Sequence, residues 1–189
     1  AEMCNYAPRR MAGLALISFG YGGLTSFSAF YADYLGISPR SLFLSAMAVS
    51  LLLARVALGR SLDRWGHRRV LLRCLLIPPA GLALLAVAHG GISFAVAAFV
   101  FGAGFGLMHP AYTAYVMARV PFARRGAAFG AMLAAFDTGI GSGSSAMGWV
   151  IHQVGFRPAF ALTALIAAAA LPVFLFAERR WGWENDRGA

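Results

Sequence analysis

The sequence contains no lysine and few acidic residues. All sixteen basic residues are arginine, against seven Asp and Glu, and charged side chains make up only 12% of the 189 residues. A soluble domain of this size would carry roughly a quarter charged residues. The scarcity of charge therefore argues against a water-soluble globular protein.

Cysteine and catalytic motifs are also scarce. Cys4 and Cys74 are the two cysteines, and their spacing matches no metal site, so we interpret both as structural. The sequence has no Gly-x-Ser-x-Gly elbow, no phosphate-binding loop, no His-Glu-x-x-His motif and no pair of neighbouring carboxylates. These absences predict a protein that is not an enzyme and that holds no cofactor and no metal.

Long apolar runs are what the sequence has in abundance, and 60% of its residues are hydrophobic. Three runs lack Asp, Glu, Lys and Arg entirely: Met11–Ala32, Ile92–Ala118 and Pro158–Ala177. Each is close to or above the ~20 residues that a helix needs to cross a bilayer. Backbone groups in lipid must be satisfied within the segment, which predicts helices. The sequence thus indicates an all-α integral membrane protein.

Six membrane spans are predicted from length and flanking charge, in a single domain covering residues 1–189. We expect the polar tail at residues 181–189 to be disordered. The spans are about Met11–Tyr34, Ser41–Gly59, Val70–His89, Ile92–Ala118, Gly126–Ile151 and Pro158–Ala177.

The arginines are distributed unequally between the two ends of these spans. Arg40 and Arg157 fall at one end, and Arg55 lies within the second span. Because cytoplasmic loops of membrane proteins carry an excess of positive charge, the distribution predicts that both termini are cytoplasmic. The net charge of +9 is therefore attributed to topology, and no nucleic-acid partner is expected. Thirteen arginines lie at the predicted cytoplasmic end: Arg9, Arg10, Arg60, Arg64, Arg68, Arg69, Arg73, Arg119, Arg124, Arg125, Arg179, Arg180 and Arg187.

The turn between spans two and three reads GRSLDRWGHRR. It resembles the signature loop of the Major Facilitator Superfamily, in which Gly, three residues, Asp-Arg, one residue and Gly precede a basic cluster. His67 stands where that family usually has a basic residue. The matching positions are Gly59, Asp63, Arg64, Gly66, Arg68 and Arg69.

The resemblance extends through GFGLMHPAYTAYV in span four, RRGAAFGAMLAAFDTGIGSG in span five and the GWVIHQVGFRPAF stretch. These segments resemble the later helices of bacterial efflux-type members, so the chain is similar to the C-terminal half of such a transporter. This implies a second six-helix half, a location in the inner membrane, and proton-coupled efflux of a small organic solute by alternating access. The alternative is a non-transporting six-helix scaffold, a subunit or an inactive fragment.

An internal repeat relates the two halves of the chain. Gly59, Asp63, Gly66 and Arg68 recur 89 residues later as Gly148, His152, Gly155 and Arg157, and Gly13 matches Gly102 at the same offset. The copies are three spans apart and so lie on opposite faces of the membrane. This predicts an inverted three-plus-three repeat, as nested within each half of facilitator-type transporters. Coincidence between glycine-rich loops is the alternative.

Asp137 is the first candidate site residue, because it lies ~16 Å along span five, near the middle of the bilayer. A carboxylate there costs at least ~3 kcal/mol unless it is paired, hydrated or protonated. Gly141, Ser144, Ser145 and Gly148 follow at helical spacing and predict one small, polar face. Asp137 is therefore either a protonation or substrate-contact site, or one partner of an interhelical hydrogen bond that fixes the bundle.

His109 is the second candidate, beside Pro110 in a glycine-rich span where broken helix could line a cavity. Tyr112 and Tyr115 follow and could contact a substrate. Alternatively His109 bonds a neighbouring backbone, and we interpret the adjacent Gly102 and Gly106 as a close helix contact. In span one, Tyr21 and Thr25 are candidate cavity residues, implied by the resemblance, although a small-residue helix contact explains the same pattern.

The signature loop is predicted to have a different role, at the cytoplasmic mouth. Asp63 could pair with Arg119, Arg124 or Arg125 on the next cytoplasmic loop, in one conformational state and not in another. Such a cluster would act as a gate, together with the signature residues Gly59, Arg64, Gly66, Arg68 and Arg69. The alternative is a loop that serves topology alone.

Overall fold

A computed structural model describes the backbone of residues 2–58, 67–118 and 120–180, and the side chains of residues 12–56, 71–118 and 120–176. These ranges consist of helices and short turns, and no strand occurs in them. The helices are α1 (Glu2–Tyr34), α2 (Leu42–Leu58), α3 (His67–Ala86), α4 (Gly91–Met117), α5 (Arg125–Val154), α6 (Phe156–Ala168) and α7 (Ala170–Arg180), with a 3-10 turn at Phe122–Arg124.

The predicted all-α fold is confirmed, because the described residues form helices and short turns without strands. Helices α6 and α7 together form one rod, so the described residues contain six helical rods. Ala169 separates them, yet its amide donates to Leu165 O at 3.1 Å and its carbonyl accepts from Val173 N at 3.1 Å. The interruption follows from Pro172, which has no N–H to donate to the carbonyl four residues earlier. The predicted tail at residues 181–189 lies outside the described residues.

Three helices among the described residues are long and apolar enough to cross a membrane: Ala12–Tyr34, Gly91–Met117 and Phe156–Phe176. Leu42–Val56 and Leu71–Ala86 are apolar but shorter. Although α5 has 30 residues, it is not in this group, since its Gly- and Ser-rich sequence includes Asp137. One long helix of the bundle is therefore distinctly more polar than the others.

Helices α1 and α5 run parallel and pack backbone against backbone. Ala15 faces Gly139 and Phe19 faces Gly143, so the contact advances in the same direction along both helices. A Cβ added to Gly143 would collide with the backbone of Phe19, and one added to Gly22 would collide with that of Ile140. Packing and hydrogen bonds hold membrane helices together, and small residues allow both.

Helices α2 and α4 form a second parallel pair of the same kind. Met47 faces Gly102, where an added Cβ would lie 2.5 Å from Met47 O, and Leu51 faces Gly106. The interpretation of these two glycines as a close helix contact is confirmed. In addition α3 packs antiparallel on α4, and α6 and α7 pack against α1 and α3.

The turns that join α1 to α2, α3 to α4 and α5 to α6 lie together at one end, which we call the Asp33 end; the opposite one is the Arg124 end. Tyr31 is fully buried at the Asp33 end, and its hydroxyl donates to Leu85 O at 3.3 Å. Arg157 donates from Nη2 to Ala88 O at 3.4 Å. The first carbonyl lies in the last turn of α3 and the second lies two residues beyond its end, where cations are also favoured.

Candidate functional site

Asp137 lies near the middle of the 30-residue helix α5, and its side chain is exposed on the surface of the bundle. Among the residues whose side chains are described, its carboxylate has no hydrogen-bond or ion-pair partner. An interhelical hydrogen bond within the described part of the chain therefore does not account for it. A carboxylate at this depth must instead face water, a solute or another protein surface.

The polar face predicted around Asp137 is divided in two by the packing of α5. Ser144 donates to Gly22 O at 3.0 Å and lies 3.0 Å from Ser26 Oγ, and Gly148 meets the ring of Phe27. These two residues therefore belong to the seam with α1. Gly141 and Ser145 remain exposed on the side of Asp137.

The exposed hydroxyls beside Asp137 are satisfied by their own helix. Ser142 Oγ donates to Thr138 O at 2.7 Å, and Ser145 Oγ donates to Gly141 O at 3.0 Å. Such bonds to carbonyls one turn back are usual for Ser in membrane helices. The carboxylate of Asp137, by contrast, requires something outside the described bundle.

An aromatic cluster joins α1, α4 and α5 next to this position. The Tyr21 ring stacks on Phe105 with centroids 4.2 Å apart and planes 6° apart. His109 meets Phe136 edge-on at 5.3 Å. Phe136 directly precedes Asp137, so the cluster and the carboxylate are neighbours along α5. The aromatic cluster consists of Tyr21, Phe101, Phe105, His109 and Phe136.

The cluster fills a space that the helix backbones leave open, since α1 and α4 do not pack closely on each other. Tyr21, His109 and Phe136 are half-buried, whereas Phe101 and Phe105 are buried beneath them. Despite Pro110 and its glycines, α4 is continuous from Gly91 to Met117, so the predicted break in this helix is absent. Aromatic side chains thus line the junction of α1, α4 and α5, and two of them, Tyr21 and His109, carry polar atoms.

Tyr112 and Tyr115 lie elsewhere, on the side of α4 that faces α7. They are only 1% and 2% exposed, and their rings meet Phe174 at 6.1 Å and 5.4 Å. Thr25 bonds its own helix, to Tyr21 O at 2.9 Å. The structure therefore brings Tyr21 and His109 into one aromatic cluster and places Asp137 one residue after Phe136 of that cluster. It separates both tyrosines of α4 from them.

Phe105 and Phe136 were not among the sequence candidates. The signal for Phe105 is its spacing, because Phe101, Phe105 and His109 recur every four residues and share a helix face. Phe136 has no comparable signal beyond its place before Asp137. Among the described residues no group of three His, Cys, Asp or Glu could hold a metal ion.

The family model of the Major Facilitator Superfamily matches residues 10–188. The chain belongs to this superfamily. Its members are generally transporters rather than enzymes, and the membrane helices agree with that.

Curated members of the superfamily from two bacterial genera are similar to the chain. An uncharacterized MFS-type transporter of Pseudomonas aeruginosa (strain UCBPP-PA14) is 32% identical over 168 residues, which cover 89% of this chain and 42% of that protein. An uncharacterized MFS-type transporter of Burkholderia mallei (strain SAVP1) is 30% identical over 177 residues, covering 94% of this chain and 44% of that protein. The chain thus spans about two fifths of the length of the curated relatives it matches.

The superfamily signature loop at residues 59–66 lies outside the described residues, as does Arg119, and the side chains of Arg68 and Arg69 are likewise not described. The predicted contacts of Asp63 therefore stay a prediction. Arg124 and Arg125 are exposed beside the 3-10 turn, and Arg125 Nε donates to Val120 O at 3.4 Å with its guanidinium 5.5 Å from the Phe122 ring.

Proposed function

We propose that this chain is one six-helix half of a secondary active transporter that moves a small organic solute out of a bacterial cell in exchange for protons. The superfamily and the names of the chain's relatives support transport, and the length of those relatives supports a second six-helix half. The two halves would reorient around a site at mid-membrane and expose it alternately to each side.

The observation that carries this proposal is the exposed carboxylate of Asp137, which has no partner among the described side chains and follows Phe136 of the aromatic cluster. A proton carrier must meet water in at least one state, and an exposed carboxylate at mid-helix meets that requirement. The cluster offers ring faces to an organic solute, and Tyr21 and His109 add polar edges. Proton binding and solute binding would then occur side by side.

The sidedness of the arginines supports an inner-membrane location with both termini in the cytoplasm. Arg40 and Arg157 lie at the Asp33 end, whereas the sequence assigns thirteen arginines, including Arg124 and Arg125, to the Arg124 end. Under the positive-inside rule the Arg124 end is cytoplasmic. The gate formed by Asp63 with Arg119, Arg124 or Arg125 would close the solute path at that end.

The packing pattern supports the inverted repeat. In an inverted repeat α1 corresponds to α4, α2 to α5, and α3 to the α6–α7 rod. The pair α1–α5 then corresponds to the pair α4–α2, and both are tight parallel pairs. Likewise the pair α3–α4 becomes the contact of the α6–α7 rod with α1. Coincidental glycine-rich loops would not require this correspondence.

Inside-out membrane vesicles containing the native protein test the proposal. With an acidic lumen, we expect at least one of a panel of cationic, neutral and anionic fluorescent organic solutes to accumulate, and to release protons as it does so. If no solute accumulates and none dissipates the proton gradient, the proposal fails and the alternative of a non-transporting scaffold is favoured.

Replacement of Tyr21 by leucine should weaken solute binding. The change removes the stack on Phe105 and a polar edge, and an aromatic pair contributes ~1 kcal/mol beyond its buried area. We expect KM for the accumulated solute to rise about fivefold, with protein yield unchanged. Tyr34→Leu is the matched control, because Tyr34 is 65% exposed at the Asp33 end; an equal effect of both changes would contradict a solute-binding role for Tyr21.

A further inference from the structure

Helix α4 contains a proline at position 110, and this leaves one carbonyl without its usual partner. In an α-helix the carbonyl of residue i accepts from the N–H of residue i+4. Pro110 has no N–H, so the carbonyl of Gly106 cannot be satisfied within α4. Inside a membrane protein such a group needs a donor from a neighbouring helix, a side chain or water.

Arg55 of α2 supplies that donor. Its Nε lies 3.3 Å from Gly106 O, across the seam between the two parallel helices. The close approach depends on Gly106, where an added Cβ would lie 3.0 Å from Leu51 O. Three features thus meet at one point. Gly106 allows α2 to approach, Pro110 leaves the Gly106 carbonyl without its helical donor, and Arg55 donates to it.

A second bond across the same seam provides a contrast. Ser50, which precedes Arg55 by five residues on α2, donates from Oγ to Phe99 O of α4. The N–H of Ala103 is available to donate to Phe99 O within α4, so the Ser50 bond is additional to the helical hydrogen bond. The Arg55 bond instead replaces the helical hydrogen bond that Pro110 cannot donate to Gly106 O.

The position of Pro110 divides α4 into two parts with different neighbours. Before it lie Phe101 and Phe105 of the aromatic cluster. After it, Tyr112 and Tyr115 pack on Phe174, and Thr113 contacts Met132 Sδ of α5 at 3.6 Å. His109 lies directly at the junction. A bend at Pro110 would therefore move residues 111–117 relative to the aromatic cluster.

We propose that Pro110 is a hinge in α4 and that Arg55 stabilises its present conformation by completing the hydrogen bonding of Gly106. Arg55 is then a positioning residue for the segment 111–117 rather than a charge that serves topology alone. Loss of the bond frees this segment to reorient against α5 and α7. The inference concerns the chain itself and does not depend on the proposed transport activity.

A double-mutant cycle with Arg55→Leu and Pro110→Ala tests the hinge, read by hydrogen exchange of residues 107–117 in the purified native protein. Leucine cannot donate, so exchange should rise about tenfold in the Pro110 background, since hydrogen bonds from charged donors are the stronger ones. Pro110→Ala restores an N–H to Gly106, and in that background Arg55→Leu should change exchange less than about twofold.

Ser50→Ala is the matched control, because it removes a bond across the same seam from a carbonyl that has a helical donor. It should show no coupling to Pro110→Ala. An equal effect of Arg55→Leu in both backgrounds, or none in either, overturns the hinge. If Arg55→Leu does not accumulate in the membrane, Pro110→Ala should restore it, and failure of the double variant to accumulate also overturns the inference.

Discussion

Replacement of Asp137 by asparagine is expected to abolish proton-driven transport while leaving the protein folded. The amide has nearly the same shape but cannot take up a proton, and no described side chain would lose a partner. We expect the gradient-driven rate to fall by about a hundredfold, as for loss of a positioned proton-transfer group. Solute accumulation and proton release in inside-out vesicles measure this directly.

Asp33→Asn is the matched control for this prediction. Asp33 is also a carboxylate on a helix surface, but it pairs with Arg40 at the Asp33 end of the bundle, away from the aromatic cluster. The control should transport at the parent rate. Proton-driven transport by the Asp137→Asn protein at half the parent rate or more would remove Asp137 from the coupling mechanism.

Replacement of Gly143 by alanine is expected to destabilise the α1–α5 pair severely. The added methyl group would overlap the backbone of Phe19, which cannot move without separating two helices along their whole contact. Overpacking of this kind costs about 3 kcal/mol of unfolding free energy. Denaturant unfolding of the purified protein in detergent, followed by loss of helical signal, gives the measurement.

Gly141 provides the control for this change, since it lies two residues earlier on the same helix. A Cβ there meets nothing within 4 Å. Because alanine favours a helix interior over glycine by roughly 0.5–1 kcal/mol, Gly141→Ala should be neutral or stabilising. Equal unfolding free energies for the two variants would mean that α1 and α5 are not in close contact.

The helical fold could be predicted from the sequence because a membrane leaves few alternatives. Runs without charge at residues 92–118 and 158–177 are long enough to span, and the bilayer requires that they be helical. The contact glycines of α4 were also predictable, since Gly102 and Gly106 recur at the spacing of one helix face. Both predictions depend on properties of a single helix, its apolar length and the spacing of its glycines, which can be read from the sequence directly.

The pairing of helices could not be predicted in the same way. In a soluble helix the apolar stripe marks the core, but a membrane helix is apolar on its lipid face and its protein face alike. Ser144 and Ser145 show the consequence: adjacent serines look equivalent in sequence, yet one bonds to α1 and the other stays on the surface. Similarly, the sequence shows that Pro110 leaves the Gly106 carbonyl without its helical donor, but only the packing of α2 on α4 shows that Arg55 donates to it.

The pairing of α1 with α5 imposes an order on how the protein is made. Ser26 and Ser144, which meet across this seam, are 118 residues apart. A ribosome adding roughly 5–20 residues per second needs on the order of ten seconds to extend the chain that far. Until then α5 is not present to cover the glycine-lined side of α1. Neither three-helix segment therefore completes its own packing, and the native bundle forms only after the fifth helix has entered the membrane.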